Sequence, residues 1–349
     1  MTDSTLTTNL SADELAEFIA VASSFAADVP GKDWAELDVG QAEAIERSWN
    51  GIREIGFDRC LVSEEAGGVG LPTAALPPLL EEIATGEGGV AMLMLLSNIA
   101  AEAAGDELLA AAGESARLAY LPSVGSRKRD ASLPKLTGEK LTGRASFAIG
   151  GHAADGYIVA CDDGEGSALA YVAVDAAGVS STRVDDQLAL GAARVAKIEF
   201  DGAQAVRVGG ADAVDHAEAL LNAGIAAIAR GTARRARALA QEYAENRYQG
   251  GTEIINHGAV RDMLARMSER ELGMPQPTVG DRELAVGIAA KIAITDAAVL
   301  TSLDAIQVFG GMGYMRETGV EKLMRDAKYC QIYPRPNWIA RDELLELQR

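Results

Sequence analysis

The stretch QVFGGMGYMRETGVEKLMRDAKYCQIYPRPNW, Gln307 to Trp338, decides how this chain is read. It ends a long apolar run, DRELAVGIAAKIAITDAAVLTSLDAIQVFGG (281–311), whose spacing predicts a helix. Gly310 and Gly311 close that run. Glycines let backbone N–H groups approach a ligand closely, and such groups suit a phosphate. A helix end with a glycine cap is the plain alternative. No strand precedes these glycines, so they are not a dinucleotide-binding fingerprint.

Outward from this stretch, the chain before it is also helical. HAEALLNAGIAAIARGTARRARALAQEYAENRYQGG (216–251) keeps an amphipathic pattern throughout, and VRDMLARMSEREL (260–272) continues it. Between about 119 and 208 the texture changes. YIVAC (157–161), LAYVAV (169–174), VAKIEF (195–200) and AVRVGG (205–210) are short, β-branched or alternating, and turns rich in Asp and Gly separate them. This predicts an antiparallel β domain. Residues 1–118 predict helices again. Ser11 followed by Glu14 is a capping signal, QAEAIERSWNGIREIGF (41–57) has helical spacing, and two more stretches break at Gly86 and Gly88–Gly89. The fold class is α+β, mostly α: a helical domain over 1–118, a β domain over 119–208 and a helical domain over 209–349.

Composition narrows the function. The 349 residues are 48% apolar, so the chain is globular, and their net charge is −19. A nucleic-acid binder needs a basic face, and none is visible. The run VAMLMLLSNIAAEAA (90–104) is too short to span a bilayer and carries Glu102, so no membrane span is expected and a core helix is. MTDSTLTTNLSADELAEF is acidic and lacks a basic region before an apolar core, which is not the pattern of a signal peptide. Cys60, Cys161 and Cys330 are far apart and share no metal-ligand spacing; buried inert thiols and a cytoplasmic location are expected.

Gln307 to Tyr333 resembles the motif Q-x-x-GG-x-GY-x-x-E-x-x-x-E-K-L-x-RDAK-x-x-x-IYEGT of the FAD-dependent acyl-CoA dehydrogenase family. SEEAGGVGL (63–71), KLTGEKLTGRASFAIGGHAADGYIVA (135–160) and ENRYQGG (245–251) are similar to further motifs of that family. The resemblance covers nearly the whole chain. It implies a C-terminal four-helix bundle and α,β-desaturation of an acyl-CoA thioester. A carboxylate in an apolar pocket takes the α-proton, and flavin takes the β-hydrogen as hydride. An electron-transferring flavoprotein is the expected acceptor.

The resemblance places the base at the glutamate of IYEGT, where this chain has Pro334. In other members the base comes from the start of the long helix, here at about Leu221. Glu218 lies three residues away, a weak candidate against the plain reading of a solvated helix charge. The flavin-cradling loop corresponds to YLPSVGSRKRD (120–130), shortened and changed. Ile149 stands in place of a flavin-bonding threonine, and Pro336 in place of another. By contrast Arg247, Gln249, Gln307, Gly310 and Gly311 match the groups that grip the ADP end of a neighbouring subunit's FAD, with Gly250 replacing an aromatic.

The resulting expectation is half of a FAD site shared with a partner chain that supplies the base. The pattern resembles heterotetrameric, two-plus-two members of the family that act on bulky steroid thioesters. Two alternatives stay open: a self-sufficient homotetramer using Glu218, and a structural paralogue without flavin.

Overall fold

The computed structural model describes residues 10–113, 116–124, 133–185, 187–279 and 283–349. Residues 125–130 of the loop compared with the flavin cradle lie outside the described residues, as do the first nine residues.

Five helices lead the chain: α1 (Ala12–Asp28), α2 (Trp34–Asp38), α3 (Ala42–Glu54), α4 (Leu76–Gly86) and α5 (Gly88–Ala112). α1 begins at the expected capping box. The Ser11 hydroxyl accepts from the Glu14 N–H at 3.2 Å, and the Glu14 carboxylate accepts from the Ser11 N–H at 2.9 Å. α4 and α5 are separated by Glu87, whose carboxylate caps α5 by accepting from the Val90 N–H at 2.7 Å. Gly86 is required at this join, because a Cβ there would lie 2.3 Å from the Ala26 carbonyl oxygen of α1. α5 is long and apolar enough to cross a membrane, but every residue from Gly88 to Ala101 is buried inside the fold. It is the core helix that the 90–104 run predicted.

The middle of the chain forms one eight-stranded sheet: β1 (Leu118–Leu121), β2 (Lys135–Thr137), β3 (Lys140–Ala148), β4 (Gly156–Asp162), β5 (Ser167–Ala173), β6 (Val179–Arg183), β7 (Ala196–Gln204) and β8 (Val206–Gly209). The strand order is β6-β7-β3-β2-β4-β5-β8, with β1 paired on β4. The antiparallel expectation is corrected here, because the sheet is mixed. β1 runs parallel to β4, from Leu118 opposite Gly156 to Leu121 opposite Val159, and β2 meets β4 in parallel at Lys135 and Asp162. Strands distant in sequence are joined by connections long enough to return in the same direction, so nothing forces them antiparallel.

The remainder is helical: α6 (Ala211–Asn246), α7 (Gly258–Gly273), α8 (Glu283–Phe309), α9 (Val320–Ile332) and α10 (Asn337–Glu346). The helix predicted over 216–251 stops at Asn246. A two-stranded hairpin, β9 (Tyr248–Gln249) and β10 (Thr252–Glu253), follows it. Gly250 and Gly251 form its loop with φ of 67° and 91°. A two-residue hairpin loop with both central φ values positive favours glycine, which accounts for the missing aromatic at 250. α6 to α9 pack as a bundle, and α10 lies on α8. The main core runs from the N-terminal helices through α6 to one face of the sheet, and a second cluster fills the sheet's other face. Cys60, Cys161 and Cys330 are buried and free. Burial pushes the Cys161 and Cys330 thiols up to about 12, which keeps them protonated and unreactive.

Candidate functional site

The turn between α9 and α10 carries Tyr333, Pro334, Arg335 and Pro336, and the Tyr333–Pro334 bond is cis. Arg335 points inward and is only 3% exposed. Its Nη2 donates to Glu218 Oε2 of α6 at 2.7 Å, and its Nη1 donates to the Ser123 carbonyl just beyond β1 at 3.3 Å. Its Nε lies 3.0 Å from Glu343 Oε2 of α10. Burial works against the guanidinium's charge, but the Glu218 and Glu343 carboxylates outweigh it and raise its pKa. Tyr120 of β1 donates its hydroxyl to Glu218 Oε1 at 3.3 Å. Glu218 is 1% exposed. The reading of Glu218 as a solvated helix charge is therefore wrong. The helix face that carries it turns into the core, and Arg335 neutralises it there. Leu221, three residues on, is fully buried in the main apolar core. The Tyr333 hydroxyl has no hydrogen-bond partner among the described residues, and burial raises its pKa well above the usual phenol value.

Beneath this turn, Lys291 of α8 is buried with no carboxylate partner among the described residues. Its ammonium donates to the Gln331 carbonyl at 3.2 Å, the Arg335 carbonyl at 2.7 Å and Asn337 Oδ1 at 2.8 Å. Burial, with the positive charge of Arg335 adding to it, lowers its pKa to about 7. Lys291 thus fixes the end of α9, the turn and the start of α10 as one unit.

In the middle domain, Ile149 is fully buried in the main apolar core. Its side chain carries no hydrogen-bond donor, and the cavity it borders, about 10 Å³, is far too small for a flavin ring. A pocket of about 160 Å³ remains between Leu121–Val124 and Arg144–Ser146.

The other predicted positions lie elsewhere, at the far end of the bundle. Tyr243 near the end of α6 stacks on Phe309 at the end of α8, with ring centroids 4.2 Å apart. That contact brings Arg247 and Gln249 to the same end as Gln307, Gly310 and Gly311, and all five are exposed. Arg247 is the C-cap of α6; its carbonyl accepts from the Ile254 N–H at 2.8 Å, and the residue is exposed. The Gln249 carbonyl lies 2.9 Å from His257 Nε2, which steadies the hairpin. Gly310 has φ 60°, and no atom lies within 4 Å of where a Cβ would stand on either Gly310 or Gly311. A cation, two carboxamides and open backbone suit an anionic diphosphate. Tyr314, which follows the glycines, is 81% exposed.

Two family models match this chain. One is described as acyl-CoA dehydrogenase, N-terminal domain, over residues 12–128, and the other as acyl-CoA dehydrogenase, C-terminal domain, over residues 276–344. The chain belongs to the acyl-CoA dehydrogenase family. An acyl-CoA dehydrogenase of Bacillus subtilis is 29% identical over 319 residues, covering 80% of this chain and 83% of that protein. The human mitochondrial very long-chain specific acyl-CoA dehydrogenase is 28% identical over 85% of this chain, which spans only 52% of the human protein. Among solved structures, butyryl-CoA dehydrogenase from Megasphaera elsdenii matches with a TM-score of 0.83 at 22% identity, over 96% of this chain and 98% of that one. A variant of the Tcur3481–Tcur3483 steroid ACAD also gives 0.83, at 19% identity, over 96% and 98%. At these identities the structural matches establish the fold.

Within the acyl-CoA dehydrogenase fold, Arg247, Gln249, Gln307, Gly310 and Gly311 stand exposed at one end of the bundle, whereas Arg335 and Glu218 are buried. Sequence reasoning overlooked Arg335 as a structural residue, together with Lys291, Tyr120 and Glu343. One signal was available. An arginine replaces the glycine just after a stretch matched as far as Tyr333, and a buried arginine needs a carboxylate. The only acid in the apolar run ALLNAGIAAIA and its immediate approach was Glu218.

Proposed function

We propose that this chain is one subunit of a FAD-dependent acyl-CoA dehydrogenase assembled from two kinds of chain. It contributes the ADP-end half of an inter-subunit FAD site, and a second acyl-CoA dehydrogenase-like chain contributes the catalytic carboxylate. One observation carries this reading. The groups suited to a diphosphate stand exposed together at one end of the bundle, whereas the expected base position is Pro334 beside a buried Arg335–Glu218 pair. Arg247 would donate charge-assisted hydrogen bonds to phosphate oxygens, the carboxamides of Gln249 and Gln307 would orient the same end, and the backbone at Gly310–Gly311 would let it approach. Flavin, when bound, supplies the acceptor for the hydrogen that leaves the β-carbon.

The substrate class is an acyl-CoA thioester, a bulky steroid-type acyl group included, and the expected electron acceptor is an electron-transferring flavoprotein. The place of action is the cytoplasm. Two observations stand against Glu218 as the base of a self-sufficient enzyme. It is 1% exposed, and its carboxylate is already bound by Arg335 and Tyr120.

The test is Arg247→Ala in the complex purified after co-expression with a partner. Loss of a charged hydrogen bond should weaken FAD by about 1.5–3 kcal/mol, roughly ten- to a hundredfold in affinity. Unchanged flavin retention through dialysis would make Arg247 an ordinary surface charge and remove the support for an ADP site here.

A further inference from the structure

Absence of a base and presence of a plug are different conditions, and they predict different behaviour. The space bounded by α6, β1 and the 333–336 turn is occupied by the chain itself. Arg335 reaches across it from the C-terminal domain to donate to the Ser123 carbonyl of the middle domain and to Glu218, and it is ion-paired with Glu343. Tyr120 closes the opposite side of Glu218. Glu218, Leu221, Tyr333 and Arg335 are all buried, with exposures from 0% to 3%. An ion pair this dry is stable only while both partners stay, because either charge left alone in the core is strongly unfavourable.

We infer that Arg335 is an internal occupant of this chain's own reaction site, locked by Glu218, and that it bars an acyl-CoA thioester from that site. The inference deepens the half-site reading and rests on it. The closed site is specified by a positive charge and its volume, not merely by a missing glutamate. Returning a carboxylate at position 334 would therefore not restore a working site, because the guanidinium would still hold the space.

Two measurements on the purified chain test this. The first is chemical. Phenylglyoxal labelling followed by peptide mass spectrometry should modify Arg335 on the order of a hundredfold more slowly than the half-exposed Arg341, since a closed arginine reacts only through local opening. Labelling of Arg335 at the rate of Arg341 would overturn the proposal, and this readout needs no variant to fold.

The second compares two double variants by calorimetric titration with octanoyl-CoA. Arg335→Gly with Glu218→Ala removes the pair and empties the space. Arg335→Met with Glu218→Leu removes the charges but keeps it filled. The emptied variant should gain saturable binding, and the wild type and the filled variant should show none. Equal binding by all three, or binding by the wild type, would sink the plug. Failure of the half-site reading looks different: the wild-type chain alone would hold flavin and oxidise the thioester, whatever Arg335 does.

Discussion

At the scale of the residue, the site is governed by how charges behave when water is removed. Arg335 and Glu218 neutralise each other; Lys291 donates instead to three neutral oxygens. The pKa of Lys291, on α8 beneath the turn, is lowered by burial to about 7. In the unfolded chain a lysine keeps its proton to about pH 10.4. Between about pH 7 and about pH 10 the unfolded state therefore binds one more proton than the folded state, so the Lys291 contribution favours folding more as pH rises. Below about pH 7 both states are charged and the contribution is flat. Urea unfolding of wild type and Lys291→Met should show wild type gaining on the variant across that window, by up to about 1.4 kcal/mol per pH unit. Parallel pH curves would show that Lys291 stays charged in the fold. The arginine in place of the motif glycine was the one legible hint of a buried carboxylate, and the pairing itself was not legible. Glu218 and Arg335 are 117 positions apart, and no periodicity connects a turn residue to one face of a distant helix.

Among the elements, what could be read depended on pattern. The α1 cap was readable because Ser11 and Glu14 are three apart, and β4, β5, β7 and β8 were readable from β-branched or alternating runs. β1 was missed because all four of its residues are buried, so it shows no alternation. β6, VSSTR, was missed for the opposite reason: it is a polar strand at the sheet's edge. The end of α6 was overrun because its amphipathic pattern continues into residues that the hairpin uses. That hairpin is the element that presents Arg247 and Gln249, and its loop geometry decides whether it forms. Gly250→Phe, which returns the aromatic, would force φ 67° on a side chain, with a Cβ 3.2 Å from the His257 ring. Left-handed backbone at a non-glycine costs roughly 1–2 kcal/mol, and the melting temperature should fall accordingly. A variant as stable as wild type would mean that the loop adopts another conformation.

Across the whole molecule, one buried cluster ties the three regions together. Lys322 of α9 meets Glu87, between α4 and α5, at 2.6 Å, and it also meets Asp326 one turn along. Asp326 accepts from the Leu190 N–H of the middle region at 2.8 Å. Burial raises the Asp326 carboxyl, with Lys322 opposing that rise. All three side chains are nearly sealed from water. Lys322→Met would leave two carboxylates facing each other in the core and should cost about 3–5 kcal/mol in denaturant unfolding, since breaking one partner of a buried pair strands the other. A loss under about 1 kcal/mol would mean the cluster takes up a proton and relaxes. The family motif E-K-L-x-RDAK made these residues easy to match, but their structural role was not readable, because the Glu87 contact spans 235 positions.

The central claim is that this acyl-CoA dehydrogenase chain grips one end of a cofactor for a partner and performs no oxidation alone. Its most direct test is the visible spectrum and thioester turnover of the chain purified by itself, beside the same chain purified with a co-expressed partner. The account predicts a colourless, inactive lone chain and a yellow, active complex. A lone chain with a full flavin complement that oxidises octanoyl-CoA would contradict it.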